Sequence, residues 1–205
     1  MRVNYFDMGL LDGEEINMML EVFGQLDIKD YHVYGFEAMP DYSSACIQRY
    51  RNDSRIQIFD VGVGPKNGDA YLYLSKNNVE GHSIYSSKNN VSTTNRVKIQ
   101  TILFSSWLEK TVPSFRSDFN ILKANIEGAE MDLLRDLDAH DLFPHFPVFC
   151  GQWNDVYKVG ELQSSIQDFR QLIEKHNLIF HHFSSLNKSA NADIAKVIKE
   201  CWSKK

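Results

Sequence analysis

The 205-residue chain is 43% hydrophobic, which is sufficient for one substantial core and predicts a single globular domain over residues 1–205. Its net charge of −5, with no run of Lys or Arg before the last two residues, argues against unselective binding of nucleic acid. No apolar run approaches the ~20 residues of a membrane-spanning helix, and the early Asp7 argues against a signal peptide, so we expect a cytoplasmic protein without a membrane partner.

The N-terminal segment has the pattern of a strand, a glycine turn and a helix. Val3–Asp7 is short and β-prone, and apolar side chains then recur at helical spacing from Ile16. Between them lies the sequence D-x-G-x-x-x-G, formed by Asp7, Gly9 and Gly13. Such glycines let the backbone approach a ligand where the helix begins, but they also occur in ordinary tight turns, and we weigh the two interpretations equally.

Two further strands are predicted to end near a carboxylate. His32–Glu37 is the second strand, and Glu37 stands where an acidic residue accepts both hydroxyl hydrogens of a ribose. The third strand covers Ile56–Val61, so that Asp60 is a candidate contact for an adenine amino group. Alternatively, Glu37 is a solvated residue at a strand end and Asp60 an ordinary turn residue.

A β-rich insertion follows the third strand. Ala70–Leu74 and Arg96–Ile102 are predicted strands, and the Asn- and Ser-rich segment 77–95 between them is predicted to be a long loop. Long loops inside compact domains often bind ligands, so the side chains of His82, Ser83 and Tyr85 are candidate contacts for a substrate. A loop without a function is an equally good interpretation.

The chain is organised around the segment Phe119–Glu130, an apolar run that ends in a polar cluster. Its first part is predicted to be a central strand, and the apolar pattern after Gly128 predicts a helix. Ligands of open α/β sheets bind at the carboxyl ends of the strands. Asn125, Glu127 and Glu130 are therefore expected at the site of the chemistry.

The last third continues the alternation of strands and helices. Apolar patterns predict a strand over Pro147–Trp153, a helix over Gly160–His176 and a strand over Leu178–Phe183. Residues 193–202 fit a last strand and a helix equally well. His181 and His182 point to opposite faces of a strand, and the three cysteines are far apart, so we predict no metal site. The whole order predicts a doubly wound α/β sheet with a small β-rich insertion.

Three motifs in this order resemble the FkbM-type S-adenosylmethionine-dependent methyltransferases. They are the glycine turn after Asp7, the strand ending Phe36–Pro40 and the sequence Asn125–Glu130. The resemblance covers Val3 to about Trp153, and it is the combination of motifs that is specific.

The resemblance implies a Rossmann-like class I methyltransferase sheet of seven strands, mostly parallel, with the last strand antiparallel. It implies S-adenosyl-L-methionine as the cofactor and O-methylation of a hydroxyl on a sugar, a glycan or a small metabolite. By matching positions, Asp7, Gly9 and Gly13 would hold the methionine part of the cofactor and Glu37 the ribose. The family commonly has Asp at the position of Asn125 and an acidic residue near Gln152, so the identity of the catalytic base is open.

Three residues are candidates for catalysis at the end of the central strand. Glu127 and Glu130 carry the nearest carboxylates, although Glu130 also suits the first turn of a helix. Asn125 is not a base, but its amide is able to orient a hydroxyl or an amine.

Other functions remain compatible with this sequence. A nicotinamide-dependent oxidoreductase is less favoured because its turn is usually G-x-G-x-x-G. A methyltransferase-like module that binds without turnover is suggested by Asn125 and Gln152. A sheet domain that serves only in assembly is the third alternative.

Overall fold

The computed structural model describes residues 1–76 and 80–204. The first half contains β1 Val3–Met8, α1 Glu14–Gln25, β2 Tyr31–Phe36, α2 Pro40–Tyr50, β3 Ile56–Phe59, β4 Gly62–Val63, β5 Gly68–Ser75 and β6 Val91–Ile102. The second half contains α3 Phe104–Thr111, β7 Phe119–Ala124, α4 Glu130–Ala139, β8 Val148–Gly151, α5 Ile166–Lys175, β9 Phe180–His182 and α6 Ile194–Trp202. No helix in this described part is long and apolar enough to cross a bilayer.

The main sheet has six strands in the order β3-β2-β1-β7-β8-β9, and every neighbouring pair is parallel. Successive side chains of a strand point to opposite faces, so each strand contributes to two cores. Phe6 and Leu122 pack with α3, α4 and α5 on one face, whereas Tyr5 and Ile121 pack with α1, α2 and α6 on the other. The predicted doubly wound α/β class is confirmed.

One detail of the expected sheet is wrong: in the described residues there is no seventh, antiparallel strand. The tail forms α6 instead, in which Ile194 and Ile198 are buried one helical turn apart. Asp193 caps this helix by accepting a hydrogen bond from the backbone N–H of Lys196, at 3.0 Å. The burial of one apolar face therefore decides between the two patterns that the sequence allowed.

The predicted insertion is a separate three-stranded sheet in the order β4-β6-β5. β5 and β6 are antiparallel, and the short β4 joins β6 in parallel. β6 begins at Val91, so the predicted loop is shorter than expected, and its residues 77–79 lie outside the described residues. The predicted helix over Gly160–His176 begins as a 3-10 helix and becomes α-helical at Ile166.

Candidate active site

A cavity of about 480 Å³ lies at the carboxyl ends of β1, β2, β7 and β8. The chain order of the sheet reverses between β1 and β7, which is the position where open α/β sheets bind their ligands. The insertion lines the cavity through residues 80–82, 84 and 88–90. The fold therefore brings together residues that are up to about 180 positions apart, from Gly9 to Leu186.

The glycine turn after β1 contributes the floor of the cavity. Gly9 has φ +84°, and its N–H donates to the carbonyl oxygen of Phe36 at 2.9 Å. A Cβ atom at this position would lie 2.0 Å from the carbonyl oxygen of Asn125. Only glycine fits here, so the ends of β1 and β7 pack directly against each other beside the cavity.

We expect Gly9→Ala to lower the free energy of unfolding by about 2–4 kcal/mol, because alanine disfavours this φ and its methyl group overlaps the β7 backbone. Gly24→Ala is the control: this glycine lies inside α1 with no atom within 4 Å of an added Cβ. That change should raise the free energy of unfolding by about 0.5–1 kcal/mol. Equal effects of the two changes in urea denaturation would contradict the proposed crowding at Gly9.

Glu37 lines the cavity directly after β2. Its two carboxylate oxygens accept hydrogen bonds from the backbone N–H groups of Leu11, at 2.9 Å, and Met39, at 2.8 Å. Burial raises the pKa of Glu37, while these two amide hydrogen bonds oppose the rise. A carboxylate has about four acceptor positions, so the fixed group retains capacity for two ligand hydroxyls.

Asp7 lies below the glycine turn and does not line the cavity. Its carboxylate is fully buried and pairs with the ammonium of Lys123 at 2.8 Å. The same ammonium donates to the carbonyl oxygen of Gly9 at 2.8 Å and lies 4.0 Å from the carboxylate of Glu15. Burial lowers the pKa of Lys123, but the two carboxylates outweigh it and the net direction is upward. Asp7 therefore acts on the turn through Lys123, and its predicted contact with the cofactor stays a prediction.

Gly13 and Asp60 do not line the cavity either. Gly13 has φ +77° at the N-terminus of α1, and its carbonyl oxygen accepts a hydrogen bond from the hydroxyl of Tyr50 at 2.8 Å. Asp60 is exposed and accepts from the hydroxyl of Ser43 at 2.6 Å. Both residues thus accept hydrogen bonds from side chains of α2. This geometry gives no support to their predicted contacts with the cofactor.

The three candidate catalytic residues lie in different environments. Asn125 and Glu127 line the cavity, whereas Glu130 is fully buried behind it. The carboxylate of Glu130 accepts from the backbone N–H groups of Ile126, at 3.0 Å, and Gly128, at 2.8 Å. Burial raises the pKa of Glu130 to about 8. Glu130 therefore stabilises the loop that carries Glu127. Its side chain does not line the cavity, so this geometry gives no support to its predicted catalytic role.

Glu127 belongs to a cluster of charged residues on the cavity wall. Its carboxylate pairs with the ammonium of Lys88, which is only 1% exposed and lies 3.3 Å from the carboxylate of Asp155. Asp155 also pairs with Lys158. Burial and a hydrogen bond to Asp155 raise the pKa of Glu127 to about 7. Burial disfavours the charged form of Asp155 too, but its bonds to Glu127 and Lys158 lower its pKa.

Two amide oxygens on the cavity wall are buried and have no hydrogen-bond partner among the described residues. They are Oδ1 of Asn125 and Oδ1 of Asn90. The amide of Gln152, which also lines the cavity, has a partner: its nitrogen donates to the hydroxyl of Ser184 at 3.1 Å. Buried acceptors are normally satisfied, so Asn125 and Asn90 offer two positions for ligand N–H or O–H groups.

Of the three loop residues predicted to contact a substrate, His82 alone lines the cavity. Its Nδ1 accepts from the backbone N–H of Ser75 at 3.0 Å, which places the proton of the neutral ring on Nε2. Burial lowers the pKa of His82. Ser83 instead donates to the carbonyl oxygen of Glu127 at 2.7 Å, and the hydroxyl of Tyr85 donates to Asp132. Ser83 and Tyr85 thus tie the loop to the site.

Comparison with known proteins identifies the family. The model of the methyltransferase FkbM domain matches residues 12–197, so the chain belongs to this family of methyltransferases. A comparison with curated proteins gives no significant match. Among solved structures, the chain is similar to the methyltransferase FkbM from Methylobacillus flagellatus KT, with 14% identity and a TM-score of 0.42. The alignment covers 98% of this chain and 37% of that one.

Proposed function

We propose that this chain transfers a methyl group from S-adenosylmethionine to a hydroxyl of a sugar, a glycan or a small metabolite. One observation carries the proposal: Gly9, Glu37 and Asn125 meet at one cavity where the sheet order reverses. Membership of the FkbM methyltransferase family supports the reaction class.

The residues present fit this cofactor. Glu37 would accept from the ribose hydroxyls, because its carboxylate is fixed by backbone amides and borders the cavity. The methionine part would lie along the cavity wall at Gly9 and Asn125, and Oδ1 of Asn125 is available to its amino group. S-adenosylmethionine supplies an electrophilic methyl group on a sulfonium, so alignment by the protein contributes much of the rate.

The acceptor side of the cavity is formed by Glu127, His82 and Lys88. A hydroxyl has to lose its proton as it is methylated, and a carboxyl with a pKa of about 7 is well matched to receive that proton at neutral pH. Lys88 stabilises the carboxylate form of Glu127 before transfer. The Nε2–H group of His82 is a hydrogen-bond donor that would orient the substrate hydroxyl for methylation.

Titration with S-adenosylmethionine tests the cofactor site. We expect Glu37→Ala to weaken binding by at least about 30-fold, because two hydrogen bonds to a charged acceptor are lost. Glu37→Gln keeps the shape and one strong acceptor oxygen, so its loss should be smaller. Glu21→Ala, at an exposed position of α1, is the control. Unchanged calorimetric affinity in folded Glu37→Ala would remove Glu37 from the site.

A module that binds without turnover is the second candidate, and the neutral amides of Asn125 and Gln152 favour it. Both amides line the cavity, where a carboxylate would be a stronger base. Transfer of a labelled methyl group to a hydroxylated acceptor distinguishes the two functions, because the binding module would retain the cofactor and give no labelled product.

A further inference from the structure

A second cavity of about 320 Å³ lies beside the first, at the carboxyl ends of β8 and β9. Gln152 lines both cavities, so a ligand that extends past this side chain would enter the second one. The residues that carry its chemistry are Gln152, Trp153, Asn154, Tyr157, Phe180 and His182. Nothing in the cofactor site or the charged cluster uses the last five of these residues.

Aromatic rings form one part of this cavity. Trp153 and Phe180 are stacked with their ring centroids 4.4 Å apart and their planes 10° from parallel. Tyr157 lines the cavity and is 44% exposed. The two stacked rings cover one face of each other and Trp153 is only 5% exposed, so Tyr157 presents the aromatic surface that would bind the C–H face of a ligand.

Polar groups form the other part. Nε2 of His182 is buried and has no hydrogen-bond partner among the described residues. The amides of Gln152 and Asn154 lie on the same cavity. A hydroxyl group is both donor and acceptor, so it would satisfy the imidazole nitrogen in either tautomer. The described residues that line this cavity include no Lys, Arg, Asp or Glu, which disfavours a phosphate or another strongly charged group.

We propose that the second cavity binds a neutral hexopyranose ring, the neighbour of the sugar unit that is methylated in the first cavity. An aromatic surface beside amide and imidazole groups matches the apolar face and the hydroxyl edge of such a ring. The inference rests on the proposed function, since it makes the methyl acceptor a glycan of at least two units rather than a small metabolite.

Saturation-transfer NMR with methyl β-D-glucopyranoside, methyl β-D-galactopyranoside and methyl α-D-mannopyranoside tests the proposal on the full chain. We expect at least one glycoside to bind in the millimolar range and to be weakened about 3-fold to 10-fold by Tyr157→Ala. His182→Ala should weaken it by a similar factor, because the hydrogen bond to Nε2 is lost. Tyr71→Ala is the control, since Tyr71 is 45% exposed on β5, outside both cavities.

Titration of the same proteins with S-adenosylmethionine separates this inference from the proposed function. If no glycoside binds, or if Tyr157→Ala and Tyr71→Ala give equal affinities, the sugar site is overturned even where S-adenosylmethionine binds. If a glycoside binds through Tyr157 and His182 but S-adenosylmethionine does not bind, the sugar site stands and the methyltransferase proposal fails. Unfolding curves of the variants establish that each one is folded.

Discussion

Replacing Glu127 with Gln is expected to lower turnover by about 10²–10⁴-fold while it leaves the affinity for S-adenosylmethionine nearly unchanged, because the change removes a proton acceptor but no predicted cofactor contact. Glutamine preserves the shape of the side chain. The buried ammonium of Lys88 keeps the carboxylate of Asp155 as a partner at 3.3 Å, so the fold should survive the change. Parallel measurement of kcat and of the calorimetric dissociation constant checks this division.

The pH dependence provides a second measurement of the role of Glu127. Burial and the bond to Asp155 raise the pKa of Glu127 to about 7, so below this pH the carboxyl is protonated and unable to accept a proton. The value of kcat/KM should therefore rise with pH through about 7 and then level off. In Glu127→Gln this rise should be absent.

Glu161→Gln is the matched control for Glu127, since Glu161 is an exposed carboxylate outside both cavities. It should retain both the activity and the pH profile of the unchanged protein. Equal losses of turnover and of cofactor affinity in Glu127→Gln would mean that Glu127 holds the cofactor and is not the base.

Lys123→Met should lower the free energy of unfolding by about 3–5 kcal/mol, because it leaves the fully buried Asp7 and the buried Glu15 without their shared cation. The side chain of methionine is close in length to that of lysine, so the loss of stability reports the missing charge rather than a change in volume. The bond to the carbonyl oxygen of Gly9 disappears as well, so the turn at the proposed cofactor site should become less ordered. Urea denaturation measures the first effect and cofactor titration the second.

Lys98→Met removes the corresponding ion pair at the surface, where Lys98 and Asp69 are 62% and 59% exposed. Its cost should stay below about 1 kcal/mol. Adding Asp7→Asn to Lys123→Met should recover part of the lost stability, since it removes one of the unpaired charges. A cost for Lys123→Met no larger than that for Lys98→Met would contradict the importance of the buried pair.

Local patterns in the sequence were sufficient for most of the architecture. The pattern before the turn at Gly9 and the apolar run that begins at Phe119 each predict a strand, and the structure contains both, as neighbours in the sheet. These patterns are reliable because they depend on near neighbours in the chain. The tail, by contrast, fits a strand or a helix, and only packing of Ile194 and Ile198 against the sheet decides for the helix.

The sequence predicts the site only in part, because its charged residues are distant in the chain and only the fold brings them together. Lys88 lies in the insertion, before β6, and Asp155 follows β8, and no spacing in the sequence indicates that both surround Glu127. The same limit applies to Asp7 and Glu130. The motifs indicate both positions, but the sequence does not reveal that Lys123 pairs with the carboxylate of Asp7 and that two backbone amides donate to the carboxylate of Glu130.

Calorimetric titration of the chain with S-adenosylmethionine, S-adenosylhomocysteine and NAD tests the proposed function most directly. Binding of both sulfur nucleosides in the micromolar range, without binding of NAD, is the predicted result. It would justify a search for hydroxylated acceptors. Binding of NAD alone, or of none of the three, would contradict the assignment of the cavity at Gly9, Glu37 and Asn125 to S-adenosylmethionine.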